Sequence, residues 1–306
     1  MANFGKRYIA KIMARDILII ARRELMLKIK SKVIASSVII LTLVAAITPW
    51  ISHFAEDKAK TSTSRAVLQS TESTNFSIAL FALVLLYMII SLSGSFLALT
   101  IIEEKSGRIM EVLLSAVSPR KLLLGKIFGL LTFSIGQFLL IVTTWLVSSQ
   151  LAGSPAVSGV SAADLAIYLL WFLPAVIAFS FIYGGLGALI SRSEDSGALQ
   201  GPMSILLIGI VYLASYSLTN PNAEIVKVSR FIPPFSYFVG LGQLLISGKI
   251  TEPIIISYVA SLIFTCATVY FALSAFDANL LKNGKFSFKK FFNRNLSDRP
   301  LKKVSR

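Results

Sequence analysis

The stretch that decides the fold is EEKSGRIMEVLLSAVSPRKLLLGK, residues 103–126, which lies between two long apolar runs. Its charged side chains include Glu103, Glu104 and Arg108, and each ionised group costs several kcal/mol when it lies unpaired in hydrocarbon. We therefore expect the chain to leave the bilayer here. The stretch marks the point where one membrane span ends and the next begins.

Apolar residues recur in this stretch at three- and four-residue spacing, which is typical of one apolar stripe on a helix of about three turns. The stripe consists of Ile109, Met110, Leu113, Ala116 and Val117. Ser118-Pro119 ends the unit, because a residue before proline is disfavoured in the helical region. We expect an amphipathic helix outside the bilayer over 103–119. A solvated connecting loop, with a pair between Glu104 and Arg108, is an alternative of similar weight.

The composition is that of a polytopic membrane protein. Hydrophobic residues make up 55% of the 306 positions and charged residues 15%, against roughly 25% charged in ordinary soluble domains. The net charge of +15 could suggest nucleic acid, but the basic residues cluster in the segments between apolar runs, as membrane topology requires. One cysteine and one histidine exclude an intrachain disulfide and any Cys/His metal site.

Six apolar runs have the length of about 20 residues that a membrane-spanning helix needs. They are residues 33–52, 76–102, 122–149, 165–190, 198–218 and 253–275. Residues 223–250 are broken by Pro233-Pro234, and their apolar piece, Tyr237 to Ile246, is too short to span, so we expect a short extracytoplasmic re-entrant hairpin. The predicted fold class is all-α, with a six-span membrane domain over 33–276.

The two ends of the chain and the segment after the first span are polar. Residues 1–32 are predicted to be a cytoplasmic tail with an amphipathic interfacial helix, and its basic face carries Arg7, Lys11, Arg15 and Arg22. A lipid anchor and a helix that also touches a cytoplasmic partner are equally compatible with this pattern. Residues 54–75 are predicted to be a polar loop, and 277–306 a basic cytoplasmic tail.

The basic residues also predict the orientation. If both termini are cytoplasmic, 24 of the 30 lysines and arginines lie on the inner side: nine in 1–32, five in 103–126, one in 191–197 and nine in 277–306. Cytoplasmic loops carry an excess of Lys and Arg, so this topology is favoured. It places the 103–119 helix on the cytoplasmic side.

The sequence shows no catalytic chemistry. No phosphate-binding GxxxxGK[ST] loop is present, and the predicted spans hold no nucleophile with a base and no metal ligands. They also lack the carboxylate at membrane depth that ion-coupled carriers use. A substrate path could be lined by neutral polar groups, although helix packing explains each of them equally well: Ser91, Ser95, Gln137 and Thr144.

The motif in residues 103–137 resembles the signature of type-2 ABC exporter permeases, in particular the NatB-like group associated with sodium extrusion. The matching positions are Glu103, Glu104, Lys105, Arg108, Glu111, Leu113, Leu114, Pro119, Gly125, Lys126 and Gln137. Further similarity lies in Arg22-Arg23-Glu24, in Ser193-Glu194-Asp195 and in Ile232-Pro233-Pro234. Members of that group commonly carry a large extracytoplasmic domain between the first two spans, whereas this chain has only residues 54–75 there.

The resemblance implies a permease subunit, itself not an enzyme, in a bacterial cytoplasmic membrane. It pairs with a second copy, identical or paralogous, and with a separate ABC ATPase subunit that holds ATP and magnesium. The ATPase would dock on the 103–119 helix as a coupling helix, and the cargo would be sodium or a lipophilic compound. The residues implied in docking are Glu103, Glu104, Lys105, Arg108, Ile109, Glu111, Leu113, Leu114 and Pro119. A non-transporting scaffold or sensor is the alternative, and an ion channel is disfavoured by the lack of a filter sequence.

Overall fold

The computed structural model describes residues 2–60, 66–107, 109–153, 162–190 and 193–279. Side chains are described from Arg15 to Trp50 and from Phe76 to Phe276, with short gaps. Every regular element in these ranges is helical. Six helices in the described part are long and apolar enough to cross a membrane, so the six predicted spans are confirmed. The basic tail lies almost entirely outside the described residues.

The helices follow the chain as α1 (Ala2–Lys30), α2 (Lys32–Lys60), α3 (Ala66–Ser106), α4 (Ile109–Ala116), α5 (Pro119–Leu151), α6 (Ala162–Leu189), α7 (Gly197–Thr219), α8 (Glu224–Ser229), α9 (Phe235–Ser247) and α10 (Glu252–Asn279). A 3-10 turn, Ser193–Ser196, precedes α7. The candidate spans within them are Lys32–Trp50, Phe76–Ser106, Pro119–Leu151, Leu165–Leu189, Glu194–Thr219 and Glu252–Ser274.

The polar segment 54–75 differs from the predicted loop. The helix α2 continues to Lys60 and α3 already begins at Ala66, with residues 61–65 outside the described part. The segment contains neither glycine nor proline, and a helix pairs its own backbone amides whether or not its side chains are polar. Polarity alone therefore did not end either helix where the apolar run ends.

The predicted helix over 103–119 is divided into three parts. The helix α3 extends to Ser106, Gly107 forms a turn whose amide donates to the Glu103 carbonyl at 2.9 Å, and α4 covers only eight residues. Pro119 then starts α5, with Ser118 in extended conformation before it. Glycine favours a helix end and proline a helix start, so these two residues set the length of α4.

The spans pack around α3 and α6, which are the most buried of the six. The helix α6 lies against α3 and α10, and α5 lies against both α1 and α2. Stacked aromatic rings join α5 to α6, with Phe138 5.1 Å from both Tyr168 and Phe172 between ring centroids. This core holds α3 and α5, the two helices on either side of α4, in fixed positions.

The helix α1 runs beside the first half of α5, in the same direction along the chain. Asp16 pairs with Lys121, and Lys28 lies near Phe133. The contact is close because two glycines of α5 face α1: a Cβ on Gly125 would lie 2.6 Å from Ile20, and one on Gly129 would lie 2.7 Å from the Ala21 carbonyl oxygen. Small residues allow helix backbones to approach in this way.

The helix α9 is a short apolar helix of 13 residues inserted between the spans. A cis Pro233-Pro234 peptide precedes it. Its Tyr237 is fully buried and donates a hydrogen bond from its hydroxyl to the Ser261 carbonyl at 2.8 Å. The helix lies against α3, α7 and α10. At 1.5 Å per residue it reaches only about 20 Å, less than the ~30 Å of a bilayer core, and its re-entrant topology remains a prediction.

Substitutions at Gly129 and Gly136 of α5 provide a direct test of the α1–α5 contact. We expect Gly129→Ala to destabilise the protein by about 1–3 kcal/mol, because the added methyl group meets backbone atoms of α1 that cannot move aside. Gly136→Ala is the matched control on the same helix, since no atom lies within 4 Å of its Cβ position. It should be neutral or stabilising by up to ~1 kcal/mol.

Thermal unfolding of the purified protein in detergent measures both variants. Equal midpoints for Gly129→Ala and Gly136→Ala would contradict the close packing of α1 on α5.

Candidate functional site

The candidate site is the end of the molecule where α3, α4 and α5 meet. The helix α4 has one face against the core and one face outward. Met110 is buried, and Leu113 and Leu114 pack partly against the hydrophobic core. On the outward face, Ile109 is 49% exposed and Val112 71% exposed. The exposed apolar pair therefore consists of residues three positions apart on one side of α4.

A buried ion cluster joins α1 to the helices on either side of α4 in the chain. The ammonium of Lys126, on α5, donates to Glu24 Oε1 of α1 at 2.8 Å and to Glu104 Oε1 of α3 at 3.0 Å. All three side chains are nearly inaccessible, Lys126 completely so. Arg23 lies 3.8 Å from Glu104 and is half exposed. We call Glu24, Glu104 and Lys126, together with Arg23, the Lys126 cluster.

The charges in the Lys126 cluster balance. Two carboxylates face two cations, so the group as a whole is neutral. Each buried ion alone carries a desolvation penalty of several kcal/mol, which is offset only by paired and hydrogen-bonded geometry. One atom, Glu104 Oε2, is buried without a hydrogen-bond partner. The cluster therefore ties three helices together at one point, and any change in their relative position costs energy.

Further polar contacts fix the same end of the molecule. Lys105 Nζ donates to the Ala188 carbonyl at 2.7 Å, at the carboxyl end of α6. A cation at this position complements the helix dipole and satisfies one of the last carbonyls. Lys121 pairs with Asp16 at 3.0 Å, with both side chains partly exposed. These contacts join α3 to α6 and α5 to α1.

The structure separates the residues predicted to contact a partner. Glu103 and Ile109 are exposed at the end of the molecule, whereas Glu104 and Lys105 make contacts within the chain. Leu113 and Leu114 are partly buried, and Pro119 is the first residue of α5. The Arg108 residue and the Glu111 side chain lie outside the described part. Among the described residues, Glu104 is buried and pairs with Lys126.

The residues predicted for an interfacial face all lie in α1. Arg15 and Arg22 are exposed, and the side chains of Arg7 and Lys11 are outside the described part. The opposite side of α1 is packed on α5 through Ile20, while Leu18 and Ile19 remain exposed. The helix thus combines an exposed basic and apolar surface with a face that contacts the protein core.

The four residues predicted to line a path lie on two helices, α3 and α5. Gln137 lines a cavity of about 70 Å³ between α1, α2, α3 and α5. Thr144 donates to the Leu140 carbonyl within its own helix, and Ser91 and Ser95 are partly exposed on α3. A larger cavity of about 300 Å³ lies between α3, α5, α6 and α9. It is lined mainly by apolar and aromatic side chains, among them Phe81, Phe138, Trp145 and Tyr168.

From the sequence, Lys126 and Glu24 were named only as positions of the family resemblance, with no role assigned to either of them, and Val112 was not named. The predicted third span begins at Leu122, so Lys126 stands inside an apolar run. A charged residue in such a run needs a partner from another segment, and this was the available signal. Glu24, 102 positions away, could not be assigned as that partner because only the fold brings α1 to α5.

No arrangement suited to metal chemistry is found where side chains are described. No three His, Cys, Asp or Glu residues of that part lie close enough together to hold an ion.

Comparison with known proteins identifies the family. Residues 7–276 match the model of the ABC-2 family transporter proteins. Similar curated proteins include the uncharacterized protein YhaP of Bacillus subtilis, 27% identical over 175 residues, or 53% of this chain and 42% of YhaP. The uncharacterized protein MJ1024 of Methanocaldococcus jannaschii is 31% identical over 157 residues, or 49% of this chain and 36% of MJ1024. The match thus spans about two fifths of the length of these relatives.

The chain belongs to the ABC-2 transporter family and is a multi-pass membrane protein of the permease type. The resemblance to type-2 permeases is confirmed at the level of this family. Membership in the NatB-like group stays a prediction, because the relatives are themselves uncharacterized.

The Lys126 cluster can be tested by removing its central cation. We expect Lys126→Met to lower stability by about 3–5 kcal/mol, because Glu24 and Glu104 are then left buried without a counter-ion. Lys121→Met is the control, since its partly exposed pair with Asp16 is worth only ~0–1 kcal/mol. Thermal unfolding in detergent reports both.

The triple variant Lys126→Met, Glu24→Gln, Glu104→Gln should regain part of the loss, because neutral amides cost less to bury than unpaired carboxylates. If Lys126→Met is no more harmful than Lys121→Met, the cluster does not hold the three helices.

Proposed function

We propose that this permease couples ATP hydrolysis in a separate ABC ATPase subunit to export of a lipophilic compound. Family membership supports a permease, and one observation carries the coupling: α4 exposes Ile109 and Val112 at the end of the molecule, while the Lys126 cluster joins the helices that precede and follow α4 in the chain. An exposed apolar pair on a short helix outside the spans is the kind of surface that a partner groove covers. ATP and magnesium are held by that partner.

The coupling mechanism follows from the contacts of α4. The ATPase grips Ile109 and Val112, with Glu103 and the charged residues Arg108 and Glu111 at the rim of the contact. Movement of the gripped helix pushes on α3 and α5, between which it lies. Because Glu104 of α3 and Lys126 of α5 share one ion pair with Glu24, the displacement passes to three helices as a unit. The spans then rock about the core around α6.

A second permease copy completes the transporter in this proposal. The helix α7 exposes a stripe that includes Ile205, Ile208 and Tyr212, the last of them 76% exposed and seven residues before the span ends at Thr219. A tyrosine hydroxyl at that depth needs a hydrogen-bond partner that lipid tails do not supply. Gly201 and Gly209 leave open space on the same helix for a close neighbour. Identical and paralogous partners fit this surface equally.

The distribution of the basic residues along the chain supports a topology in a cell membrane in which α4 and both termini face the cytoplasm.

The chemistry of the larger cavity supports a lipophilic cargo. It lies toward the opposite end of the spans from α4, and its lining has no charged side chain. A bare sodium ion requires oxygen ligands and charge compensation, whereas aromatic and aliphatic walls suit an apolar molecule.

The docking surface on α4 can be tested with a matched pair of double variants. We expect Ile109→Asp with Val112→Asp to reduce binding of the proposed ABC ATPase subunit by at least about tenfold, because an apolar contact is lost and two charges are buried. The control is Ile225→Asp with Val228→Asp on α8, which are equally spaced and both 58% exposed. Co-purification and stimulated ATP hydrolysis in liposomes are the measurements.

Full binding by the α4 variant, or equal loss in the α8 variant, contradicts the proposed coupling. A scaffold or sensor would bind the same partner without ATP-driven movement of any cargo.

The cargo can be tested in inverted vesicles that contain both subunits. We expect ATP-dependent uptake of lipophilic dyes and none of sodium. Val142→Trp, which fills the larger cavity, should reduce dye uptake by about fivefold or more, since the cavity loses its volume. Leu139→Trp on the exposed side of the same helix is the control and should stay within about twofold. Sodium uptake that Val142→Trp leaves intact would overturn the cargo assignment.

A further inference from the structure

The small cavity of about 70 Å³ lies where α1 ends and α2 begins. Its walls come from four helices: Lys28 of α1; Val33, Ile34 and Ser37 of α2; Leu92, Ser93 and Phe96 of α3; Phe133 and Gln137 of α5. Liquid water occupies ~30 Å³ per molecule, so the space accepts a group of about the size of a phosphate. The cavity is separate from the exposed face of α4 and from the larger apolar cavity.

The polar centre of this cavity is the ammonium of Lys28. The residue is 2% exposed, and its Nζ atom has no hydrogen-bond acceptor. The ammonium lies over the ring of Phe133, 5.9 Å from its centroid. Burial lowers the pKa of Lys28 to about 7, with the Glu24 carboxylate acting in the opposite direction. A buried lysine without an acceptor is costly, and an anion in the cavity removes that cost.

The charges around Lys28 leave room for one anion. Glu24 stands one helical turn away in α1, but its Oε1 already accepts from Lys126 at 2.8 Å. Glu104 is shared between Lys126 and Arg23. The Lys126 cluster is therefore neutral by itself, and Lys28 in its protonated form adds one uncompensated positive charge beside it.

Other groups of the cavity also suit an anion. Val33 and Ile34 belong to the first turn of α2, where backbone amides and the positive end of the helix dipole favour negative charge. Ser37, Ser93 and Gln137 provide neutral hydrogen-bonding groups in the same walls. The buried, unpartnered Lys28 adds to the helix terminus a second and independent feature that selects an anion.

The open side of the cavity indicates where the anion comes from. Val33 is 72% exposed and Leu92 39% exposed, and both line the cavity. They stand at the start of the first span and within the second, so apolar surface borders the opening where bilayer lipid lies. A molecule with a negative head and apolar chains matches this arrangement, whereas a free anion would meet apolar surface on entry.

We propose that this cavity binds the phosphate headgroup of an anionic phospholipid from the leaflet on the α4 side, with Lys28 as its counter-ion and the acyl chains over Val33 and Leu92. Basic pockets between spans are suited to such headgroups. The bound lipid links α1 and α2 to α3 and α5, beside the Lys126 cluster. The proposal requires membrane insertion but neither the ATPase partner nor the cargo assigned above.

Native mass spectrometry of the purified, delipidated full chain tests this site without any transport assay. Phosphatidylglycerol and phosphatidylcholine are added separately, and the retained lipid is counted. We expect phosphatidylglycerol to be retained preferentially, and Lys28→Met to weaken its binding by about fivefold, the loss of one lysine contact with an anionic headgroup. Lys30→Met, which removes an exposed lysine of the same helix end, should stay within about twofold of the wild type.

Three outcomes overturn the proposal. These are equal retention of the two lipids by the wild-type chain, unchanged binding in Lys28→Met, and equal losses in Lys28→Met and Lys30→Met. Competition by millimolar inorganic phosphate that displaces the lipid would assign the site to a free anion instead and would overturn the lipid assignment. If Lys28→Met does not fold, Lys28→Gln and the wild-type lipid preference decide the question.

Discussion

The structure depends on the pairing of Lys126, a fully buried lysine, with Glu24 and Glu104. Burying an ammonium inside a helix bundle costs several kcal/mol, and carboxylates within hydrogen-bond distance offset that cost. Here those carboxylates come from α1 and α3, at 2.8 and 3.0 Å. The requirement fixes how the first helix and the second span meet the third span, and the glycines at 125 and 129 make the approach possible.

This pairing also gives α4 its mechanical role in the proposed transporter. The helix lies between α3 and α5, and both carry a member of the Lys126 cluster within the half that is next to α4. A force on Ile109 or Val112 therefore meets a rigid junction rather than two independent helix ends. The lipid site proposed at Lys28 lies one helical turn along α1 from Glu24 of this junction. Lipid composition would therefore alter the stiffness of the junction.

The sequence alone was sufficient to predict the six spans but not to predict the Lys126 cluster. Apolar runs of about 20 residues predicted all six spans, because hydrophobic length is a local property. Gly107 and Pro119 set the bounds of α4, yet the pattern alone predicted a longer helix. Burial of Glu104 depends on its pair with Lys126, whose other partner, Glu24, lies 102 positions before Lys126 in the chain. Contacts at that distance in sequence arise from packing, as do the cavity and the unpartnered ammonium of Lys28.

The central claim, that the Lys126 cluster passes motion from α4 to the spans, is tested most directly by pulsed electron spin resonance. Cys266, the one cysteine of the chain, is replaced by serine, and spin labels are placed at two exposed residues, Val147 near the far end of α5 and Leu170 in the first half of α6, with the ATPase subunit bound. We predict a nucleotide-dependent change in the label distance that is lost in Lys126→Met while the ATPase stays bound. The same change in a folded Lys126→Met complex would contradict the account.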